Sequence, residues 1–417
     1  MSDLADAREN AESTAVSVEG RLGRRVGMRQ KLSYALRIAP GYTWQKLTRR
    51  LPRGTVHLII ALADHFEPAI VPGDGRARAP YAEQEQRLER WCREYPKAID
   101  AWRDHDGRPF IHTYFYPAEQ YNRGLMARLA EHCLAGWGEL EVHLHHGIPL
   151  PDSAANLRRT LTDFRDRLAL EHGCLSCADG DTTPRYAFVH GNFALANSAG
   201  GFGCGVDDEL QVLADTGCFA DMTLPTNPFN PAQRAKINSL YECALPLTER
   251  AAYRAGLDLQ AGRAPKKFPL MIQGPLAVSF SKSGAIRPRI ENGSFTGANV
   301  PTLDRLRVWK HAQVSVRGRP DWLFLKLHCH GMDPTQEDAV LGASFRRFLQ
   351  GVVEGASERG EILHFVSARE MVNVILAACD GKDGNPGDYR NYHLKPWKQL
   401  DRSGASVAAS TQKVARN

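Results

Sequence analysis

Three segments of this chain run as apolar stretches of strand length and then stop at histidines and carboxylates: HLIIALADHFEP (57–68), ELEVHLHHG (139–147) and WLFLKLHCHG (322–331). A strand buried on both faces reads as a near-continuous hydrophobic run, which marks a parallel sheet covered by helices. The carboxyl ends of such strands form the rim where α/β proteins bind ligands. Three such ends, far apart in sequence and carrying the same residue types, predict a metal-centred site assembled at one end of the sheet.

Between these runs the pattern alternates. Further strands are predicted at 109–117 (PFIHTYFYP), 185–192 (RYAFVHGN), 219–225 (FADMTLP) and 362–367 (ILHFVS), with FPLMIQGPL (268–276) strand-like inside an otherwise irregular 226–305. Helical spacing covers 82–103, with Pro96 splitting or kinking it, and also 118–135, 153–172, 207–218, 302–313, 335–354 and 368–378. Strands alternating with helices predict an α/β protein. We expect a distorted (β/α) barrel of seven or eight mostly parallel strands over 54–380. Residues 1–20 are polar and nearly free of aromatics and are expected to be disordered, and 381–417 to form an arm or disordered tail.

With 417 residues, 43% hydrophobic and 24% charged, the chain can bury a large core and has the balance of a soluble protein. No apolar run approaches the roughly 20 residues that span a bilayer, and the acidic start lacks a signal-peptide core. Nine scattered cysteines predict reduced thiols and a cytoplasmic location. Charge is uneven. Between Gly20 and Ala63 there is no acidic residue, and ten Lys or Arg fall within 21–53. This basic arm reads either as a solvated segment or as one attached to anionic membrane from the cytoplasmic side, with Trp44 and Tyr42 in its apolar complement. Pro40-Gly41 is expected to interrupt any single helix there. No recognition motif for nucleic acid accompanies it.

The chemistry-bearing residues follow from strand geometry. His143 and His145 lie on one face of a strand, about 6–7 Å apart, where they can share one zinc-class ion, and the turn can bring in His146. A lone histidine is more often a satisfied core residue; three in four positions at a strand end weigh towards metal. Asp64, His65 and Glu67 end the first strand. Asp64 and His65 are candidate ligands and Glu67 or Asp64 the candidate base, against the plainer reading of Asp64 as a helix cap. His328 and His330 share a face and can act as general acid or as ligands. His190 and Asn192, at the tip of FVHGN, are candidates for substrate contact. CLSC (174–177) lacks the partners of a zinc knuckle, and GGFGCG (200–205) lacks the context of a phosphate loop.

Taken in order, these segments resemble the polysaccharide deacetylase superfamily, which includes the nodulation-type chitooligosaccharide deacetylases. ADHFEP occupies the place of that family's Asp-Asp motif. LEVHLHH is similar to its histidine motif, with His145 matching the first histidine, and FLKLHCHG to the late motif that supplies a catalytic histidine, matching His328. HFVSAREMVNVI resembles its closing strand and helix. Three departures stand out: Asp64-His65 replaces Asp-Asp, Pro149 stands where a second histidine is usual, and HGN replaces an arginine-proline motif. The resemblance implies a deacetylase-like barrel and hydrolysis of N- or O-acetyl groups on a sugar or polysaccharide precursor, with a divalent ion, zinc first among them. Two other readings stay open. One is a different metal hydrolase such as a phosphoesterase; the other is a non-catalytic glycan-binding or assembly protein on the same fold.

Overall fold

The computed structural model describes residues 28–49, 52, 54–74, 77–226, 230, 232–234, 236–280 and 288–397. The segment 1–20 and the end of the expected tail lie outside them. The strands in chain order are β1 (Val56–His65), β2 (His112–Pro117), β3 (Glu139–Leu144), β4 (Ser176–Ala178), β5 (Tyr186–His190), β6 (Cys218–Asp221), β7 (Leu240–Cys243), β8 (Gly256–Asp258), β9 (Leu270–Ile272), β10 (Ala277–Phe280), β11 (Pro288–Glu291), β12 (Trp322–Cys329), β13 (Glu361–Phe365) and β14 (Leu394–Pro396). Ten of them form one sheet in the order β12-β1-β2-β3-β5-β6-β9-β7-β8, with β13 also paired to β1. β7 runs antiparallel to β8 and β9, and every other pairing in this sheet is parallel. The expected seven or eight strands are thus ten, on a hydrogen-bonded path that is open at β12 and β8. The additional pair, β7 and β8, lies inside the stretch read from sequence as irregular.

β1 is the hub of the sheet. It pairs with β12 along most of its length, with β13 over its first half and with β2 over its last four residues. Its alternate side chains enter two cores, as the period of two requires. Leu58, Ile60 and Leu62 join Tyr114, Tyr116, Val142, Phe188 and Leu325 in the core beneath the helices. Ile59, Ala61 and Ala63 join Phe115, Val189, Ala220, Ile272 and Phe324 on the other face.

The helices are α1 (Met28–Thr48), α2 (Tyr81–Ile99), α3 (Arg123–His132), α4 (Ala154–Asp166), α5 (Glu209–Asp215), α6 (Leu303–Lys310), α7 (Glu337–Val340), α8 (Ala343–Glu354) and α9 (Ala368–Cys379). Helices α2, α3, α4, α5 and α8 contribute to the first core. α9 is buried along its whole length and packs on the second, entered through a capping box made by Ser367 and Glu370. Among the described residues, no helix is long and apolar enough to cross a membrane.

Three expectations are corrected. α1 continues through Pro40, because the carbonyl that proline leaves unbonded belongs to Leu36, on the exposed side where water can reach it. α2 runs unbroken to Ile99, with Pro96 in its last turn. The segment after Gly381 is packed as far as Trp397: β14 pairs with β4, and Arg390 donates to Asp104 (2.7 Å) and Asp106 (2.6 Å).

One buried group sets a pH response. His132, the last residue of α3, is buried with Nε2 3.0 Å from the Tyr114 hydroxyl, and burial, helped by Arg128, lowers its pKa to about 4. The unfolded chain takes up the proton near 6.5, so this contribution is complete above that pH and drains away as pH falls towards 4. The shift corresponds to about 3 kcal/mol. Denaturant unfolding at pH 7 and pH 4.5 should show a smaller acid loss for His132→Gln than for the wild type. Equal losses would remove His132 from the acid response.

Candidate metal centre

Strand alternation sorts the strand-end residues into two sets. On the face shared with Ala63 and Val189, the C-terminal ends of β1, β3 and β12 deliver His65, His143, His145, His328 and His330, with Glu67 just beyond β1. The rings of His65, His143, His145 and His330 form a chain of contacts. His65 lies 4.7 Å, centroid to centroid, from both His143 and His330, and His143 lies 4.7 Å from His145. The carboxylate of Glu67 stands among them. Its Oε1 is 3.5 Å from His143 Nε2 and 3.8 Å from His145 Nε2. It also groups with His65 and His330 closely enough to share an ion.

The tautomers follow from the partners. His143 Nδ1 faces the carbonyl oxygen of Val189 at 2.8 Å, and a carbonyl only accepts, so Nδ1 carries the proton. His145 Nδ1 faces Glu119 Oε1 at 2.7 Å in the same way. In the neutral rings both Nε2 atoms therefore aim lone pairs at the Glu67 carboxylate. His143 Nε2 and His65 Nδ1 are buried without a hydrogen-bond partner. Lone pairs converging on a carboxylate repel unless a cation lies between them, and a bound divalent ion meets that need. Two histidines and a glutamate, each histidine backed through Nδ1 by an oxygen acceptor, form the donor set of open zinc sites. The residues present fit such an ion.

The electrostatics agree. Burial lowers the His143 pKa, and burial with the neighbouring histidines holds His65 well below its ordinary value. Burial pushes Glu67 up, but His145 and His143 more than offset this and bring it down to about 2. His65 and His143 are thus disposed to be neutral and Glu67 to be ionised, the forms that ligate metal. His328 sits deeper, its Nδ1 buried without a partner. Further in, Lys326 Nζ donates to the Met222 carbonyl at 2.8 Å, and burial lowers its pKa to about 7.

The other predicted residues lie elsewhere. Asp64 shares the opposite face of β1 with Leu62. It accepts from His112 Nε2 at 2.8 Å and from the Gly331 amide at 2.6 Å, and so fixes the turn that carries His330. A Cβ at Gly331 would collide with the Asp64 carboxylate and the Trp91 ring, which explains the glycine there. His190 does not line the centre. It follows Tyr186 and Phe188 into the helix-side core, where His146, Cys204 and Glu209 surround it. His146 there links Asp152 (2.9 Å) to Glu209 (3.0 Å). Asn192 Nδ2 donates to the His146 carbonyl at 2.8 Å and to the Gly203 carbonyl at 3.2 Å, tying two loops together. Between these two residues, Gly191 is needed because the His145 ring lies against its Cα, where a side chain would collide.

The residue that sequence reading missed is Glu119, which orients His145 from the turn after β2. The signal was available, since YPAEQ is another strand end carrying a carboxylate. No model of a known protein family matches the chain, and no curated protein matches it either.

Proposed function

We propose that this protein is a metal-dependent hydrolase whose ion is held by Glu67, His143 and His145, with His65 and His330 completing the centre. The observation that carries the reading is the pair of Nε2 atoms, each fixed by an acceptor behind its ring, that converge on one buried carboxylate. A divalent ion there, zinc being the best match to the donors, supplies Lewis acidity towards a carbonyl or phosphoryl oxygen and acidifies a water. The chain's own residues do the rest. Glu119 and the Val189 carbonyl hold the two imidazoles in the binding tautomer. Glu67 stays ionised, the form that holds the ion. His330, half-buried at the mouth, is better placed than the deeper His328 to hand a proton to a leaving group.

The substrate class rests on the resemblance to polysaccharide deacetylases: an N- or O-acetylated sugar or polysaccharide precursor. The same reading takes the open sheet as a distorted barrel. Supporting it, Lys326 on β12 reaches Met222 beyond β6, and Gly274 beyond β9 abuts the Lys326 carbonyl.

A second reading has its own observation. Glu67 belongs to two potential ligand groups, one with His143 and His145 and one with His65 and His330. A carboxylate bridging two ions is the arrangement of two-metal phosphoesterases. Ion counting on zinc-reconstituted protein, paired with acetate-release and phosphate-release assays, separates the two. One ion per chain with acetate release supports the deacetylase, and two ions with phosphate release support the phosphoesterase. Substoichiometric metal sinks both.

A further inference from the structure

Helix α1 is attached to the body by its polar side. Gln45 donates to the Ile237 carbonyl (2.8 Å) and accepts from Asn238 (3.1 Å), Lys46 donates to the His311 carbonyl (3.2 Å), and Arg49 donates to the Asn238 carbonyl (2.6 Å). The Tyr42 hydroxyl accepts from the Val278 amide at 3.1 Å. Positions 42, 45, 46 and 49 form one face. Leu36, Trp44 and Leu47 are 65%, 67% and 69% exposed, and Pro40 is exposed between them. At 3.6 residues per turn, positions 36, 40, 44 and 47 fall in one stripe about 190° from the centre of the anchored face. A surface helix ordinarily turns its apolar stripe inward; this one turns it outward.

We propose that the outward stripe of α1 docks on an anionic lipid surface, with Trp44 and Leu47 entering the headgroup boundary. Charge complementarity selects this occupant. The segment 21–53 carries ten Lys or Arg and no acid; Lys46 and Arg49 belong to the anchored face, which leaves eight others, and Arg37 is exposed beside the stripe. Such segments are drawn to acidic headgroups, while tryptophan favours the lipid–water boundary. A nucleic acid would use the cations but has no call on an apolar stripe. The inference is independent of the metal centre and is tested without it.

The test is sedimentation of the full chain with vesicles of phosphatidylcholine alone and with added phosphatidylserine. Expected is binding to the acidic vesicles only, weakening as salt rises. The double variant Trp44→Ser, Leu47→Ser should bind about tenfold more weakly or worse, given the apolar area removed, while melting like the wild type because both residues are exposed. Equal binding to neutral and acidic vesicles, or undiminished binding by the double variant, overturns the proposal. So does retention on a DNA fragment without vesicle binding. A wild-type dimer that the double variant converts to monomer, with no vesicle binding, would assign the stripe to a second copy and overturn it as well.

Discussion

The His145→Ala variant is expected to emerge from purification with little or no metal and without measurable hydrolysis, yet folded. The ring is part-exposed, so its loss opens no sealed cavity. What disappears is one of the two nitrogen donors aimed at Glu67. A graded companion separates ligand from support. Glu119→Gln keeps the His145 ring but replaces the carboxylate behind Nδ1 with a neutral amide, and outer partners of this kind are worth about 10–100-fold in metal affinity. Competition with a chelator should rank wild type above Glu119→Gln and Glu119→Gln above His145→Ala. Identical metal retention in all three would place the ion elsewhere, or nowhere.

The second large effect concerns Asp64, and its sign separates scaffold from ligand. Asp64→Ala should cost about 3–5 kcal/mol in denaturant unfolding, because it strands the buried His112 Nε2 and the Gly331 amide together. Protein that remains folded should still bind metal, since Asp64 lies on the opposite face of β1 and groups with His112 and Cys329 rather than with Glu67 or His143. A variant of near wild-type stability that has lost its ion would reverse this assignment and restore Asp64 as a ligand.

What the sequence made legible was periodic. The apolar runs at 57–63 and 322–327 are long enough to declare themselves, and they located the strand ends that carry His65 and His330, while the histidines themselves marked the end of β3. β7 and β8 escaped notice because LYEC and GLD are too short to carry an alternation; only the pairing of β7 with β9 and of β8 with β7 makes them strands. Facing was the harder question. Asp64 and His65 both sit at a polar strand end, and His190 resembles His143 in setting. Composition cannot say which side of the sheet each occupies, but the packing of Leu62 and Phe188 beneath the helices decides it. Glu119 showed as a strand-end carboxylate, but its role did not, since that depends on a ring 26 positions away. Pro40 misled because a helix tolerates proline where water can replace the missing bond.

The division of neighbours between two faces has a consequence for how the chain tolerates change. Asp64 and His65, His145 and His146, Cys329 and His330 are adjacent pairs whose members serve different assemblies. If a strand docked one position out of step, each pair would exchange roles, leaving carboxylates and rings buried opposite the wrong partners on both sides at once. Misaligned intermediates therefore lose on both faces together, and the metal centre, the Asp64–His112–Cys329 group and the His146–His190–Glu209 group jointly penalise a wrong strand alignment. A single side-chain exchange disturbs one of these groups, whereas a one-residue insertion or deletion inside β1, β3 or β12 that no bulge absorbs disturbs both faces of the strand beyond it.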